Sequence, residues 1–461
     1  MKNVKVFHIF LSLIFFSSLL FSQKETPPEG SQPKNFVLPA QKTFTLNNGL
    51  QVTMVPYGTL PMVTVRCILR AGNLNEPADE VWVADLTDDL LKEGTTSRSA
   101  EDIAREAANM GGAVDVSTGS DQSWVGGEVL NEFGPKYIAL LADVIQNPSF
   151  PETAFERLRK DFLRNLSIAK TRPQSLAMEK FNQVLYGNHP YGHVFPTAEM
   201  LQGYTIEQVK SFYDQNIGAQ RTHIYVVGKF DEEAMGNAIH DNFDNWKKGP
   251  EPLIDIPKPQ SKRAVYIIDR PDAPQSTIYM GVPVVDPSSP DYIPLQVTNT
   301  LLGGAFSSRI TANIREEKGY TYSPRSSIST HYRNAYWAEV ADVGTDVTGA
   351  SLKEIFKEIH GLQNEAPSQK ELTGIQNYMA GTFVLRNSAP TGIIGQLSFI
   401  DLHGLDTNYL NDYVNNLYQV KPEDVQRIAQ TYFVDNEMTI VIVGDRKKIT
   451  KQVKPFGKII M

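Results

Sequence analysis

Residues 206–230, IEQVKSFYDQNIGAQRTHIYVVGKF, find an echo at 422–446, PEDVQRIAQTYFVDNEMTIVIVGDR. The two stretches align without a gap: Glu207 falls on Glu423, Val209 on Val425 and Gly228 on Gly444, each at an offset of 216. In both, apolar residues at helical spacing give way to a β-branched run that stops at glycine, the pattern of a helix feeding a strand. Such a match between distant segments points to an internal duplication. The starts of the halves agree more loosely, "LTDDLL" (86–91) lying where "VTNTLL" (297–302) lies, each after an alternating strand pair. Each half then reads as strands, helix, strands, helices, helix, strand. That order suits a layered α+β domain, helices packed on a mainly antiparallel sheet, and two such domains facing each other would enclose a cavity. The expected division is an N-terminal domain over 41–246, a Pro- and charge-rich linker over 247–263 and a C-terminal domain over 264–461.

A chain of 461 residues is too long for one hydrophobic core, which agrees with two domains. Its net charge of -8 leaves no basic face in bulk and argues against nucleic acid as a partner. Lys2 and Lys5 precede the apolar run "VFHIFLSLIFFSSLLF", and small and polar residues follow. This is the layout of a secretory signal peptide over 1–23, cut near Ser22–Gln23, with a disordered segment over 24–40. The protein is then exported, to the periplasm or beyond the cell, and keeps no membrane span after cleavage. Cys67, the one cysteine, sits in an alternating run and reads as a small buried hydrophobe.

"VADLTDDLL" (83–91) has the spacing of an amphipathic helix, with Val83, Leu86, Leu90 and Leu91 on one side. Asp85, Asp88 and Asp89 share one face at i, i+3 and i+4, where like charges repel by about 0.2–0.5 kcal/mol per pair. Taken with "FTLNNGLQVTMVP", "AGNLNEP", "IAREAANMGGAVDVSTGSDQSWV", "LLADVIQNPSFPETAFERLRKDF", "YGNHPYGH" and "LLGGAFSSRITANIREEKGYTYS", this helix gives the chain a resemblance to the insulysin, pitrilysin and mitochondrial-processing-peptidase family over roughly 41–448. The resemblance implies two duplicated α+β domains that form half of a clam-shell around peptides. It also implies an H-x-x-E-H zinc motif on the first helix, in which the glutamate takes a proton from metal-bound water, and a distal glutamate ligand on a later helix.

The positions matching H-x-x-E-H are Asp85-Leu86-Thr87-Asp88-Asp89, so aspartate stands at both histidine positions and at the general base. The distal position, in "ERLRKDFLRNL", is Arg164 or Asn165. None of these suits zinc, and three aspartates on one helix face cannot surround an oxygen-loving ion either. The expectation is that the acids face water or pair with Arg157, Arg159, Lys160 or Arg164, a salt-bridge network standing in for the metal. His189 and His193 read as a loop anchor; His223 and His240 need no special role.

Peptide-handling residues remain. Arg315, Gly319 and Tyr322 match the family's R-x-x-x-G-x-x-Y, whose Arg and Tyr hold substrate backbone. On the residues alone the same stretch is a surface Arg and a strand Tyr in a helix–turn–strand. "GGAVDVSTGSD" (111–121) matches the edge strand that pairs with extended substrate. The resulting expectation is a non-catalytic subunit that binds no metal, pairs as a heterodimer with a zinc-bearing homologous peptidase and helps to hold extended peptides. The alternative is a scaffold or peptide-binding protein without a peptidase partner.

Overall fold

In the computed structural model, which describes residues 36–460, the alternating and Val/Ile-rich segments become two six-stranded sheets. The signal-peptide reading of 1–23 lies outside the described residues, as does most of the 24–40 segment. Strands β1 (Lys42–Thr45), β2 (Gln51–Pro56), β3 (Met62–Leu69), β4 (Asp115–Ser117), β5 (Ser123–Leu130) and β6 (Thr222–Gly228) form the first sheet, ordered β1-β2-β6-β3-β5-β4. Strands β7 (Ala264–Asp269), β8 (Gln275–Val284), β9 (Arg325–His331), β10 (Asn334–Gly344), β11 (Thr439–Gly444) and β12 (Lys458–Ile460) form the second, ordered β12-β7-β11-β8-β10-β9.

Helices of the first half are α1 (Val83–Leu91), α2 (Ala100–Asn109), α3 (Gly134–Gln146), α4 (Glu152–Thr171), α5 (Pro173–Tyr186), α6 (Ala198–Gly203), α7 (Ile206–Asn216) and α8 (Glu232–Phe243). Those of the second are α9 (Tyr292–Asn299), α10 (Thr348–Asn364), α11 (Gln369–Arg386), α12 (Pro390–His403), α13 (Asn408–Asn411), α14 (Tyr413–Gln419), α15 (Pro422–Tyr432) and α16 (Arg446–Val453). No helix among the described residues is long and apolar enough to cross a membrane.

The duplication is exact in five strands of each sheet and broken in the sixth. β2 and β6 pair in parallel, as do β7 and β11; β3 and β8 pair antiparallel on both sides. The outermost places differ. β1 folds back antiparallel on β2, whereas β12 arrives from the other end of the chain and pairs in parallel with β7. Gly228 and Gly444, the sequence's clearest repeat marks, close β6 and β11, and Val209 and Val425 are both fully buried on α7 and α15.

Each sheet is covered by its own helices on one face and by a helix of the other half on the opposite face. In the first sheet Val52, Val65, Val125 and Ile224 join the core of their own helices. Val55, Ile68, Tyr225 and Val227 point the other way and share a core with Ile393, Ile394, Leu397 and Ile400 of α12. In the second sheet Tyr279, Tyr336, Ala338 and Val441 pack on Ala177, Phe181 and Leu185 of α5. Both crossing helices begin with proline, Pro173 and Pro390, whose missing N–H costs nothing in a first turn. Burial on both faces explains why β6 and β11 are continuous apolar runs rather than alternating ones. It also narrows the expectation of a chamber between the halves: α5 and α12 occupy the space beside the sheets, and one cavity at the junction measures about 220 Å³.

Candidate functional site

Helix α1 spans the residues expected of it, and its apolar stripe is buried. Trp82, just before it, adopts a left-handed backbone, φ 72°, and its own side chain does not cap the first turn. The acids do not follow the expectation. Asp85 and Asp88 turn inward, away from water, and neither bonds to an arginine or lysine. Asn73, in a turn following β3, donates its side-chain N–H groups to Asp85 Oδ2 at 2.7 Å and Glu76 Oε1 at 3.0 Å. The backbone N–H of Ala84 also reaches Glu76 Oε1, at 3.0 Å. Thr118, just after β4, donates its hydroxyl to Asp88 Oδ2 at 2.7 Å. Asp89 stays at the surface, 3.6 Å from Lys92.

The basic residues of α4 find other partners. Arg157 binds Glu93 at 2.6 Å, Arg159 binds Glu156 at 2.7 Å, and Arg164 reaches Asp161 at 3.1 Å. The salt-bridge tie from the aspartates to this helix is therefore absent, and the link between α1 and α4 passes instead through Glu93, just beyond the end of α1. The aspartates turn away because hydroxyl and amide donors approach from the opposite side, where hydrogen bonds offset part of the desolvation of a buried carboxyl.

Burial dominates the protonation of this group. It pushes Asp88 up to about 7 despite the Thr118 hydroxyl, and Asp85 up to about 6 despite Asn73. Glu76, raised by burial and by the nearby charge of Asp85, reaches about 8. Glu76 went unnoticed in the sequence; its only signal there was an acid just before Pro77 in a turn beside α1.

Zinc does not fit these side chains. It prefers imidazole and thiolate with deprotonated ligands. Here no histidine is present, two carboxylates spend acceptor oxygens on Asn73 and Thr118, and burial disfavours their ionised forms. Among the described residues no group of three or more His, Cys, Asp or Glu is arranged to hold a metal ion. The second half provides an internal comparison. Asn299, the counterpart of Asp88 in the "LTDDLL"/"VTNTLL" alignment, accepts from Ser326 Oγ of β9 at 2.7 Å and from Trp337 Nε1 at 2.9 Å. Both halves thus use this helical position to accept a hydroxyl from the edge-strand region.

Arg315 and Tyr322 lie together. Arg315 occupies a wide π-helical turn, Thr311–Glu317, which Gly319 ends with φ +65°. Its guanidinium sits 4.3 Å over the Phe306 ring and 5.2 Å from the Tyr322 ring, with Glu316 at 3.2 Å. Tyr322 stands in the loop before β9, not in a strand, and is 81% exposed. β4 is one edge of the first sheet, paired only with β5.

The histidines hold loops and halves. His189 Nδ1 accepts from the Tyr191 N–H at 3.2 Å, capping the turn over Pro190–Gly192. His223, read as needing no special role, joins the halves: its ring is 2.8 Å from Thr53 Oγ1 and 3.5 Å from Asp401 of α12. Cys67 is buried in the first core, which pushes its thiol up to about 12.

Residues 56–195 match the family model described as Insulinase (Peptidase family M16), and residues 203–379 the model described as Peptidase M16 inactive domain. A protein of Rickettsia felis named an uncharacterized zinc protease is 26% identical over 321 residues, 68% of this chain and 76% of its own length. A Helicobacter pylori protein named non-peptidase homolog YmxG is 24% identical over 400 residues, 84% of this chain and 90% of its own. The crystal structure of a peptidase M16 inactive domain from Pseudomonas fluorescens matches with a TM-score of 0.81 at 25% identity, covering 88% of this chain and 98% of that one.

Proposed function

Because the chain belongs to peptidase family M16 and lacks that family's H-x-x-E-H motif, we propose that it is the non-catalytic subunit of an exported zinc metallopeptidase. In this reading it pairs as a heterodimer with a homologue that carries the metal, and it contributes the groups that hold an extended peptide. One observation carries the proposal. Of the positions matching the motif, one histidine position (Asp85) and the general-base position (Asp88) are fastened to the protein's own Asn73 and Thr118, while Arg315 and Tyr322 remain adjacent to one another, with Tyr322 open to solvent. The naming of the Helicobacter pylori relative as a non-peptidase homolog agrees with it.

The division of labour follows from the groups present. Free N–H and C=O groups along β4 can pair with an extended chain, which gives affinity with little regard to sequence. Arg315 offers planar, permanently charged donors to carbonyl or carboxylate oxygens, and stacking on Phe306 and Tyr322 restricts its motion. The H-x-x-E-H motif is absent, so in this reading bond cleavage belongs to the zinc of the partner.

Two assays test this. The purified chain, given zinc and unfolded peptides, is expected to show no turnover; zinc-dependent cleavage by the chain alone would refute the proposal. In a complex with an H-x-x-E-H homologue, Arg315→Ala is expected to lower kcat/KM by about tenfold or more, the worth of a hydrogen bond to a charged donor. Unchanged function of an Arg315→Ala, Tyr322→Phe variant, with no metallopeptidase co-purifying, would favour the scaffold reading instead.

A further inference from the structure

Arg66 is a cation without an ion-pair partner, in a place where such a group needs one. It lies on β3, on the face turned toward the second half, and its guanidinium lies 4.1 Å from the centroid of the Trp124 ring. Its Nε is buried and bonded to nothing, and no carboxylate among the described residues lies within ion-pair distance of it. The nearest acidic influence is Asp115 on the exposed edge β4, acting through space against a burial that pulls the guanidinium down.

Arg66 lines the junction cavity of about 220 Å³. One wall is the turn that follows β4, with Thr118 and Gly119; the opposite wall is α12, with Ile394 and Ser398. Gln122 spans the two, donating to Ser398 Oγ at 2.7 Å while its own Oε1 is buried without a partner. Arg66 and Gln122, each with one buried polar atom left without a partner, therefore line the same small cavity, which begins where β4 ends.

We infer that this cavity is a carboxylate-binding subsite, in which Arg66 receives the carboxylate of a peptide laid along β4. The inference rests on the reading of the chain as a peptide-holding subunit, and it adds a preference to what that reading leaves sequence-neutral. A guanidinium stacked on an aromatic ring presents its N–H edge in a fixed plane, the geometry that carboxylate oxygens match. Asp88, which accepts from Thr118 of the wall, has its ionised form disfavoured by burial, and this lessens its repulsion of an incoming anion. Because the cavity is walled by both halves, its occupant touches both.

The carboxylate can come from a free C-terminus or from an acidic side chain, and three short peptides of otherwise equal sequence separate these: one with a free C-terminus, one amidated, and one amidated with an internal glutamate. Calorimetric titration of the full chain at low salt is expected to show at least one carboxylate-bearing peptide binding about tenfold tighter than the neutral one. Arg66→Gln is expected to erase the difference and Arg66→Lys to keep part of it, both variants melting with the wild type. Which of the two peptides gains identifies the source of the carboxylate. If all three bind equally and Arg66→Gln changes nothing, the subsite is refuted while the peptide-holding reading stands. If none binds, both fall.

Discussion

Asp88 is costly to ionise where it sits, and the direction of its pH dependence follows. In an unfolded chain its carboxyl titrates near 3.9; in the fold, burial pushes it up to about 7. The native state holds this proton more tightly, so the stability it contributes is complete below about pH 4 and is lost as the pH rises through about 7. Asp85 and Glu76 act in the same direction. Asp88→Asn keeps an acceptor for Thr118 and abolishes the ionisation. It is expected to cost about 1 kcal/mol at about pH 5, where its second amide hydrogen lacks a partner. At about pH 8 it should cost nothing or stabilise, since the wild type has by then lost up to about 4 kcal/mol at this site. Urea unfolding of both proteins across that range is the check; parallel stability curves would contradict the assignment. The departure of positions 85, 88 and 89 from H-x-x-E-H was plain in the sequence. Where the acids point was not, because helical spacing says which residues share a face and not what approaches that face. Asn73 and Thr118 lie 12 and 30 positions away. Arg66 was legible only as a charge in an alternating run, and its unpaired state depends on α12, far along the chain.

At the level of elements, the aligned glycines that reveal the duplication do different work. Gly228 has φ +137°, and a Cβ there would stand 2.4 Å from the carbonyl oxygen of Met62, which is backbone of β3 and cannot step aside. Gly444 lacks the left-handed backbone, and its added Cβ would meet Ser276 Oγ at 2.5 Å, a side chain that can rotate. Gly228→Ala is therefore expected to cost about 3 kcal/mol or more and Gly444→Ala about 1 kcal/mol. Denaturant midpoints of the two single variants decide it, and equal losses would show that strain at β6 is not what holds Gly228. The helix at 83–91 and the strand before each glycine could be read from periodicity because those signals are local. The outer strands could not. β12 is three residues long and takes its place from the chain's far end, so the register that makes it parallel leaves no local mark. Tyr322 likewise falls outside β9 because Gly319 turns the chain and Thr321 bridges to Val343 before the strand begins.

Across the whole molecule, the reciprocal packing of α5 and α12 makes the halves one folding unit. The apolar runs of β6 and β11 carried a hint of this, since a strand without alternation needs cover on both faces. The identity of the covering helix was hidden by its distance in sequence. Phe181 offers the sharpest test. It is fully buried on α5, a helix of the first half, yet its ring rests 4.9 Å from Tyr279 and 5.2 Å from Tyr336, both in the second sheet. Its approach is close enough that a Cβ on Gly281 would fall 2.8 Å from the Phe181 ring. Phe181→Ala is expected to cost about 3–5 kcal/mol, because neighbours held by two sheets cannot collapse into the space. If the halves fold as one unit, hydrogen exchange must show amides of β2 and β6 losing protection together with those of β8 and β11, by similar free energies. Independent halves would behave otherwise: the second sheet would lose the cover of α5 while the first kept its protection, and two unfolding transitions would separate. A single shifted transition, seen alike by far-UV circular dichroism and by exchange, is the expected result, and it would mean that whatever binds at the junction is felt by both sheets at once.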